Sequence, residues 1–180
     1  MKIKYILLIG LICNVINTSA QKIYTTKEGH ILIMSQVDNQ NVKAESHNLS
    51  LSLNYTTKEV KGTLDFKTLI TKFKSINEVI DNNDEPLKVH FTGTIPVFNF
   101  MEKDHEPFNF NWPITITYQN KSFKAQLKAI IHHIDEGRAI SCLLSAKGEI
   151  DISNTELENI IPGLDQTLQI QFSQLLLRIE

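Results

Sequence analysis

The chain has 180 residues and a formal net charge of -2, with 18 basic and 20 acidic side chains well mixed along it. That length suits one domain with a real core. The absence of a basic stripe argues against nucleic acid as a partner.

The N-terminus reads as a secretory signal. Lys2 and Lys4 precede a continuous apolar run from Tyr5 to Ile12, and Thr18-Ser19-Ala20 offers the small residues a signal peptidase needs. Asn14 and Asn17 interrupt the run too soon for it to span a bilayer comfortably. Lipidation at Cys13 would require a small residue where Ile12 stands, and an uncleaved anchor is the third outcome. Cleavage after Ala20 leaves residues 21–180 as a single domain, periplasmic or secreted, with no further apolar span. Its formal net charge is then about -4, because two lysines are removed with the signal. Cys142 becomes the one remaining cysteine, so no internal disulfide can form.

Short alternating segments then follow one another, and a period of two marks a strand with one apolar face. Thr26-Lys27-Glu28-Gly29 gives a turn signal, and Ile31 to Ser35 is apolar on both faces. Leu49, Leu51 and Leu53 alternate with polar residues up to a turn at Asn54 to Lys58. Val60, Gly62, Leu64 and Phe66 form the next stripe. Ser75-Ile76-Asn77-Glu78 has capping-box spacing, which predicts a short helix near Ser75 to Asn82.

Leu87, Val89, Phe91, Gly93 and Ile95 form another stripe, followed by Phe108-Asn-Phe-Asn-Trp-Pro-Ile-Thr-Ile-Thr-Tyr118. Pro113 lacks a donor, so it marks an edge or a strand start, and the FNFNW portion reads as a lead-in or a separate strand. After a turn at Gln119-Asn120-Lys121 come Phe123, Ala125, Leu127, Ala129 and Ile131. A turn at Asp135 to Arg138 leads to Ile140, Cys142, Leu144 and Ala146. Ser153 to Glu156 repeats the capping spacing before Leu157, Ile160 and Ile161, predicting one helical turn over a barrel end, stopped by Pro162-Gly163. In the last strand the inward parity changes between Phe172 and Leu175, which predicts a bulge. About eight antiparallel strands with one apolar face each make either a barrel or a sandwich.

Chemistry-bearing residues are sparse. His132-His133-x-Asp135 has metal-ligand types, but neighbouring histidines on a strand point to opposite faces. His30, His47, His90 and His105 read as single surface residues. Cys142 lies in an apolar stripe between Ile140 and Leu144, where a thiol is inert core. No Gly-x-Ser-x-Gly elbow and no phosphate-binding glycine loop occurs. No catalytic residue, metal or cofactor is therefore expected.

The aromatic stripe of residues 108–118 either packs a core or lines a cavity, since a barrel of about eight strands is just wide enough for one small ligand. Gly62, Gly93, Ala125, Ala129 and Ala146 on the inner faces would leave room. The pocket expected on this basis comprises Leu64, Phe66, Val89, Phe91, Gly93 and Phe108, with Phe110, Trp112, Ile114, Ile116, Leu127 and Leu144.

Three segments resemble the YceI-like, polyisoprenoid-binding family, most of all its short exported members of the Bacteroidetes type. Glu85 to Gly93 is similar to the family's Tyr-Pro-x-x-x-Phe-x-Gly segment. Ile114 to Phe123 stands where the family carries Leu-Thr-Ile-His-Gly-Val-Thr-Lys-Pro-Val, with Thr117 and Tyr118 in place of the His and Gly. Leu157 to Leu164 is similar to its short turn before the last strand. The family's His-Leu pair is missing around Ile76 to Ile80. The resemblance implies an all-β, lipocalin-like antiparallel barrel of about eight strands with one or two short helices. It further implies an apolar interior that holds a hydrophobic small molecule, isoprenoid- or fatty-acid-like, without catalysis. Two rival readings are a structural or interaction domain with a filled core, and a metal-dependent hydrolase built on His132, His133 and Asp135.

Overall fold

The computed structural model describes residues 23–96, 106–135 and 140–179. The expected signal segment, His105 and most of the turn expected at Asp135 to Arg138 lie outside the described residues. The described residues form nine strands: β1 (Ile23–Val37), β2 (Gln40–Asn54), β3 (Glu59–Asp65), β4 (Ile70–Thr71), β5 (Lys88–Thr94), β6 (Phe108–Tyr118), β7 (Lys121–Asp135), β8 (Ile140–Asp151) and β9 (Thr167–Ile179). One helix, α1 (Lys74–Asp81), and two 3₁₀ turns, Phe66–Thr68 and Glu156–Asn159, complete the fold.

All pairings are antiparallel, in the order β1-β9-β8-β7-β6-β5-β3-β2, and β1 pairs with β2 to close an eight-stranded barrel. The two-residue β4 adds to β2 outside the ring, through Ala44↔Thr71. The alternation anticipated in the sequence is realised: Leu49, Leu51, Leu53, Val60, Leu64, Val89 and Phe91 are all buried. Closure removes the free sheet edges that an open sandwich would leave. Among the described residues no helix is long and apolar enough to cross a membrane.

The two barrel ends differ. At one end lie the β1–β2 and β6–β7 turns, α1 and both 3₁₀ turns; we call this the capped end. At the other lie the β2–β3 turn, the start of β1 and the end of β9; we call this the hairpin end.

Four local expectations need correcting. Residues 26–29 form no turn; they lie within β1, where the register with β2 shifts between Thr26, Gly29 and Ile31. The real β1–β2 turn is Asp38-Asn39, unmarked by glycine, with φ of 50° and 62°. Asp and Asn tolerate that left-handed region, which a two-residue hairpin requires. Pro113 sits inside one continuous strand, and pairing with β5 runs out beside it at Gly93↔Ile114. Its missing donor is therefore tolerated where only β7 flanks the strand among the described residues. Finally, Ser75 does not cap α1. Phe73 holds the N-cap position without a side-chain bond, and Asn77 instead clasps Thr71, accepting from its N–H at 3.1 Å and donating to its carbonyl at 3.0 Å.

The expected helical turn after Ser153 is the 3₁₀ turn, capped by Thr155, whose hydroxyl accepts from the Leu157 N–H. The expected bulge in the last strand is present: Gln174 has φ 47° and the β8–β9 register shifts between Leu144 and Ala146.

Candidate functional site

Two apolar chambers occupy the capped half. The first, about 50 Å³, lies inside the barrel between β1, β3, β5, β6, β8 and β9. The second, about 60 Å³, lies above it, beneath Ile76 and Ile80 of α1 and beneath Ile160, Ile161 and Leu164. Ile33, Phe66, Ile152, Leu157 and Leu168 border both, so the two 3₁₀ turns form a partition rather than a wall. Every residue lining the inner chamber is aliphatic or phenylalanine. Such a space stays dry, because water needs two to four polar partners.

The 3₁₀ turn Glu156–Asn159 is held by one buried polar contact and one at the surface. Thr155 donates to the Ile152 carbonyl at 2.6 Å, and Lys121 pairs with Glu156, tying the turn to the start of β7. That pairing, with the Asn159 side chain, holds the exposed Glu156 carboxyl below its ordinary range, the Lys121 hydrogen bond being the larger cause.

The chamber floor is a layer of aromatic rings. Phe91 and Phe172 stack with centroids 5.5 Å apart and both face the inner chamber. Trp112 meets their edges at 6.2 and 6.4 Å and lies one layer deeper, fully buried. Its Nε1 has no hydrogen-bond partner among the described residues. The inward glycines leave no hollow, because these rings already use their space. A Cβ on Gly62 would fall 2.0 Å from the Phe91 ring, and one on Gly93 would fall 2.5 Å from Trp112 Nε1.

Six of the twelve residues expected in a pocket are brought together around the inner chamber: Leu64, Phe66, Val89, Phe91, Ile114 and Ile116. The other six lie elsewhere. Gly93 and Trp112 sit at the floor; Leu127 and Leu144 are fully buried in the hairpin half. Phe108 and Phe110 are half-buried on β6 beside Ile131 and Ala129. Sequence reading missed Ile31, Ile33, Ile150, Ile152 and Leu157, among others. Ile31 to Met34 is apolar on both faces, so its parity is silent. Leu168, Ile170 and Phe172 were legible as inward-facing, but nothing in the sequence says which end is hollow.

The described residues of the hairpin half include the fully buried Leu144, Leu175 and Leu177 and carry a buried polar group. Tyr55 Oη lies 2.6 Å from His133 Nε2, and a hydrogen bond joins the same hydroxyl to the Cys142 thiol. Tyr24 packs on the Tyr55 ring at 4.2 Å. Cys142 is free and fully buried. Burial pushes its thiol up to about 12, with Tyr55 opposing weakly, so it is no nucleophile. Burial first, then the neighbouring thiol, also raises the Tyr55 hydroxyl. The sequence offered Cys142 no partner; Tyr55 supplies one across the barrel. His132 and His133 face opposite sides, the first half-exposed and the second buried. They therefore do not form one metal site with each other.

No family model and no curated protein matches the chain. Solved structures do. A polyisoprenoid binding domain from Saccharophagus degradans, implicated in plant cell wall breakdown, superposes with a TM-score of 0.67 at 9% identity, covering 89% of this chain and 99% of that one. BcnA of Burkholderia cenocepacia is similar at 11% identity with a TM-score of 0.48, over 83% of this chain and 94% of that one. The chain shares its closed antiparallel barrel with the first of these, which is consistent with the YceI-like resemblance of its sequence.

Proposed function

We propose that the protein is an exported barrel that takes up the apolar chain of an isoprenoid- or fatty-acid-like amphiphile in its capped half and does not transform it. The observation that carries this reading is the pair of apolar chambers bordered jointly by Phe66 and Leu157. Shape and chemistry agree: an inner chamber walled only by apolar side chains, and an outer one whose single polar residue is Ser35, select apolar matter, and burial of apolar surface contributes about 25 cal/mol per Å². The YceI-like resemblance and the barrel fold support the same ligand class. Export rests on Lys2, Lys4, the apolar run and Thr18-Ser19-Ala20.

The chambers are small. An engineered apolar cavity of about 150 Å³ takes up benzene, and each chamber here is well below that. A long chain therefore has to swing Phe66 and Leu157 aside and join the two spaces. Phe66 is only half-buried, and Leu157 stands on a one-turn segment, so both can move without breaking the sheet. This small volume also favours a second reading, a filled barrel with a structural role.

Mass spectrometry of gently extracted, purified protein separates the two, together with titration of Trp112 emission by long-chain isoprenoids and fatty acids. Binding predicts a co-purified lipid and a saturable change at one ligand per barrel. The signal arises through Phe91 and Phe172, which touch both the chamber and the indole. No lipid together with a silent Trp112 leaves the filled barrel standing. Sequencing of the mature N-terminus tests export, with Gln21 or its blocked form expected; a lipidated Cys13 would overturn the soluble form.

A further inference from the structure

We propose that His30, Glu45 and His47 form a binding site for a divalent transition-metal ion of the zinc class on the outer face of the barrel. Their ligand atoms all lie within 4.8 Å of one another, the one such grouping of His, Cys, Asp and Glu found among the described residues. His30 Nε2 is 3.3 Å from Glu45 Oε2, and the two imidazoles stack with centroids 4.6 Å apart.

A backbone irregularity builds this cluster. Gly29 pairs with Leu49 and Ile31 with Ser46, so β2 spends one more residue than β1 across this interval. The extra residue is a bulge opposite His30, and bulges re-aim side chains. Without it, Glu45 and His47 would share the parity of Leu49, Leu51 and Leu53 and point into the core. With it, Ser46 and Leu49 are buried, while His47 and Asn48 are exposed and Glu45 is partly exposed. Glu45 and His47, two apart on β2, thus flank His30 on the outside.

The chemistry fits a three-ligand site with an open position. Two imidazoles and one carboxylate form a known zinc set, and imidazole also suits copper and nickel. Lys43 occupies Glu45 Oε1 at 2.7 Å, leaving Oε2 for the ion. The ion takes the place between His30 Nε2 and Glu45 Oε2, and the neutral His30 ring then carries its proton on Nδ1. Near-parallel rings, 15° apart, do not aim their lone pairs at one point. One ring must turn, and His47, exposed and held by no hydrogen bond among the described residues, is the one able to do so. The inference does not depend on lipid uptake.

The test is calorimetric titration of the purified chain, free of any polyhistidine tag, with Zn²⁺ alone, followed by Co²⁺ absorption as a check on ligand geometry. One ion per chain is expected, with a rise in Tm that grows with Zn²⁺ concentration. His30→Ala and His47→Ala should each weaken binding by at least the roughly tenfold that loss of even an outer-shell partner costs. Lys43→Met, which removes a competing cation, should tighten it, and His90→Ala should leave it unchanged. Far-UV circular dichroism shows that each variant is folded. The proposal is overturned if Zn²⁺ does not bind the wild type, or binds as tightly to the folded His30→Ala/His47→Ala double variant.

Discussion

The capped and hairpin halves of this barrel are built from the same strands with the same alternation, yet the two apolar chambers found among the described residues both lie in the capped half. The difference lies in what covers each end. At the hairpin end the strands meet Tyr24, Tyr55, His133 and Cys142, which bond and pack across the barrel at close range. At the capped end the cover is a helix and two short turns that meet the barrel through apolar side chains and a few backbone bonds, such as Phe66 N–H to the Leu87 carbonyl, with no continuous ladder. Separate segments laid across a barrel mouth fit less closely than strands hydrogen-bonded to one another, and small chambers remain. The ring layer of Phe91, Phe172 and Trp112 divides the two regimes.

Leucine truncation should separate the halves most. Leu177→Ala, in the hairpin half, is expected to cost about 4 kcal/mol in urea unfolding, because its neighbours cannot collapse into the gap. Leu157→Ala borders empty space on two sides and should cost about 2–3 kcal/mol, while merging the chambers and strengthening lipid uptake. Equal costs for the two would mean that the halves are packed alike.

Overpacking reverses the sign of that test. Leu144→Phe should destabilise by up to about 3 kcal/mol, since no space adjoins it. Ile170→Phe points into the inner chamber and should cost under about 1 kcal/mol while abolishing the Trp112 response to lipid. Severe unfolding of Ile170→Phe would argue that the chamber cannot accept even a ring.

The polar group of the hairpin half should respond to alkali. Tyr55→Phe strips His133 and Cys142 of a shared partner and is expected to cost about 2 kcal/mol, with lipid uptake unchanged. Cys142 has a folded value of about 12 against an ordinary 9.0. A raised value means the neutral thiol is favoured in the folded state, so its contribution is complete below pH 9 and lost as pH rises towards 12. Tyr24 and Tyr55 are shifted in the same direction by burial. Urea midpoints should therefore fall above pH 9, less steeply in Cys142→Ala. Thiol labelling at neutral pH should be slow and limited by unfolding.

The smallest effect is expected at the cover itself. Lys121→Ala removes an exposed ion pair, which contributes little to stability. It also releases the 3₁₀ turn, so hydrogen exchange across residues 152–164 and the rate of lipid uptake should rise while the urea midpoint stays. An unchanged uptake rate would show that this turn is not the gate.

The alternation of apolar residues was enough to determine an all-β chain of about eight strands, the inward set of those that alternate and the bulge after Phe172, because side-chain direction in a strand follows a period of two. The short helix and the turn before the last strand were legible as well, though their caps were not: Phe73 and Thr155, rather than Ser75 and Ser153, occupy those positions. Tertiary structure alone decided where the space lies. Gly62 and Gly93 looked like gaps from their own strands and are filled by Phe91 and Trp112 from the next. It alone also brought Glu45 and His47 beside His30: the sequence read the histidines as single surface residues, and the extra residue in β2 that groups them is a matter of register. Period is a property of one strand; volume and register are properties of neighbours, and those are set only when the barrel closes.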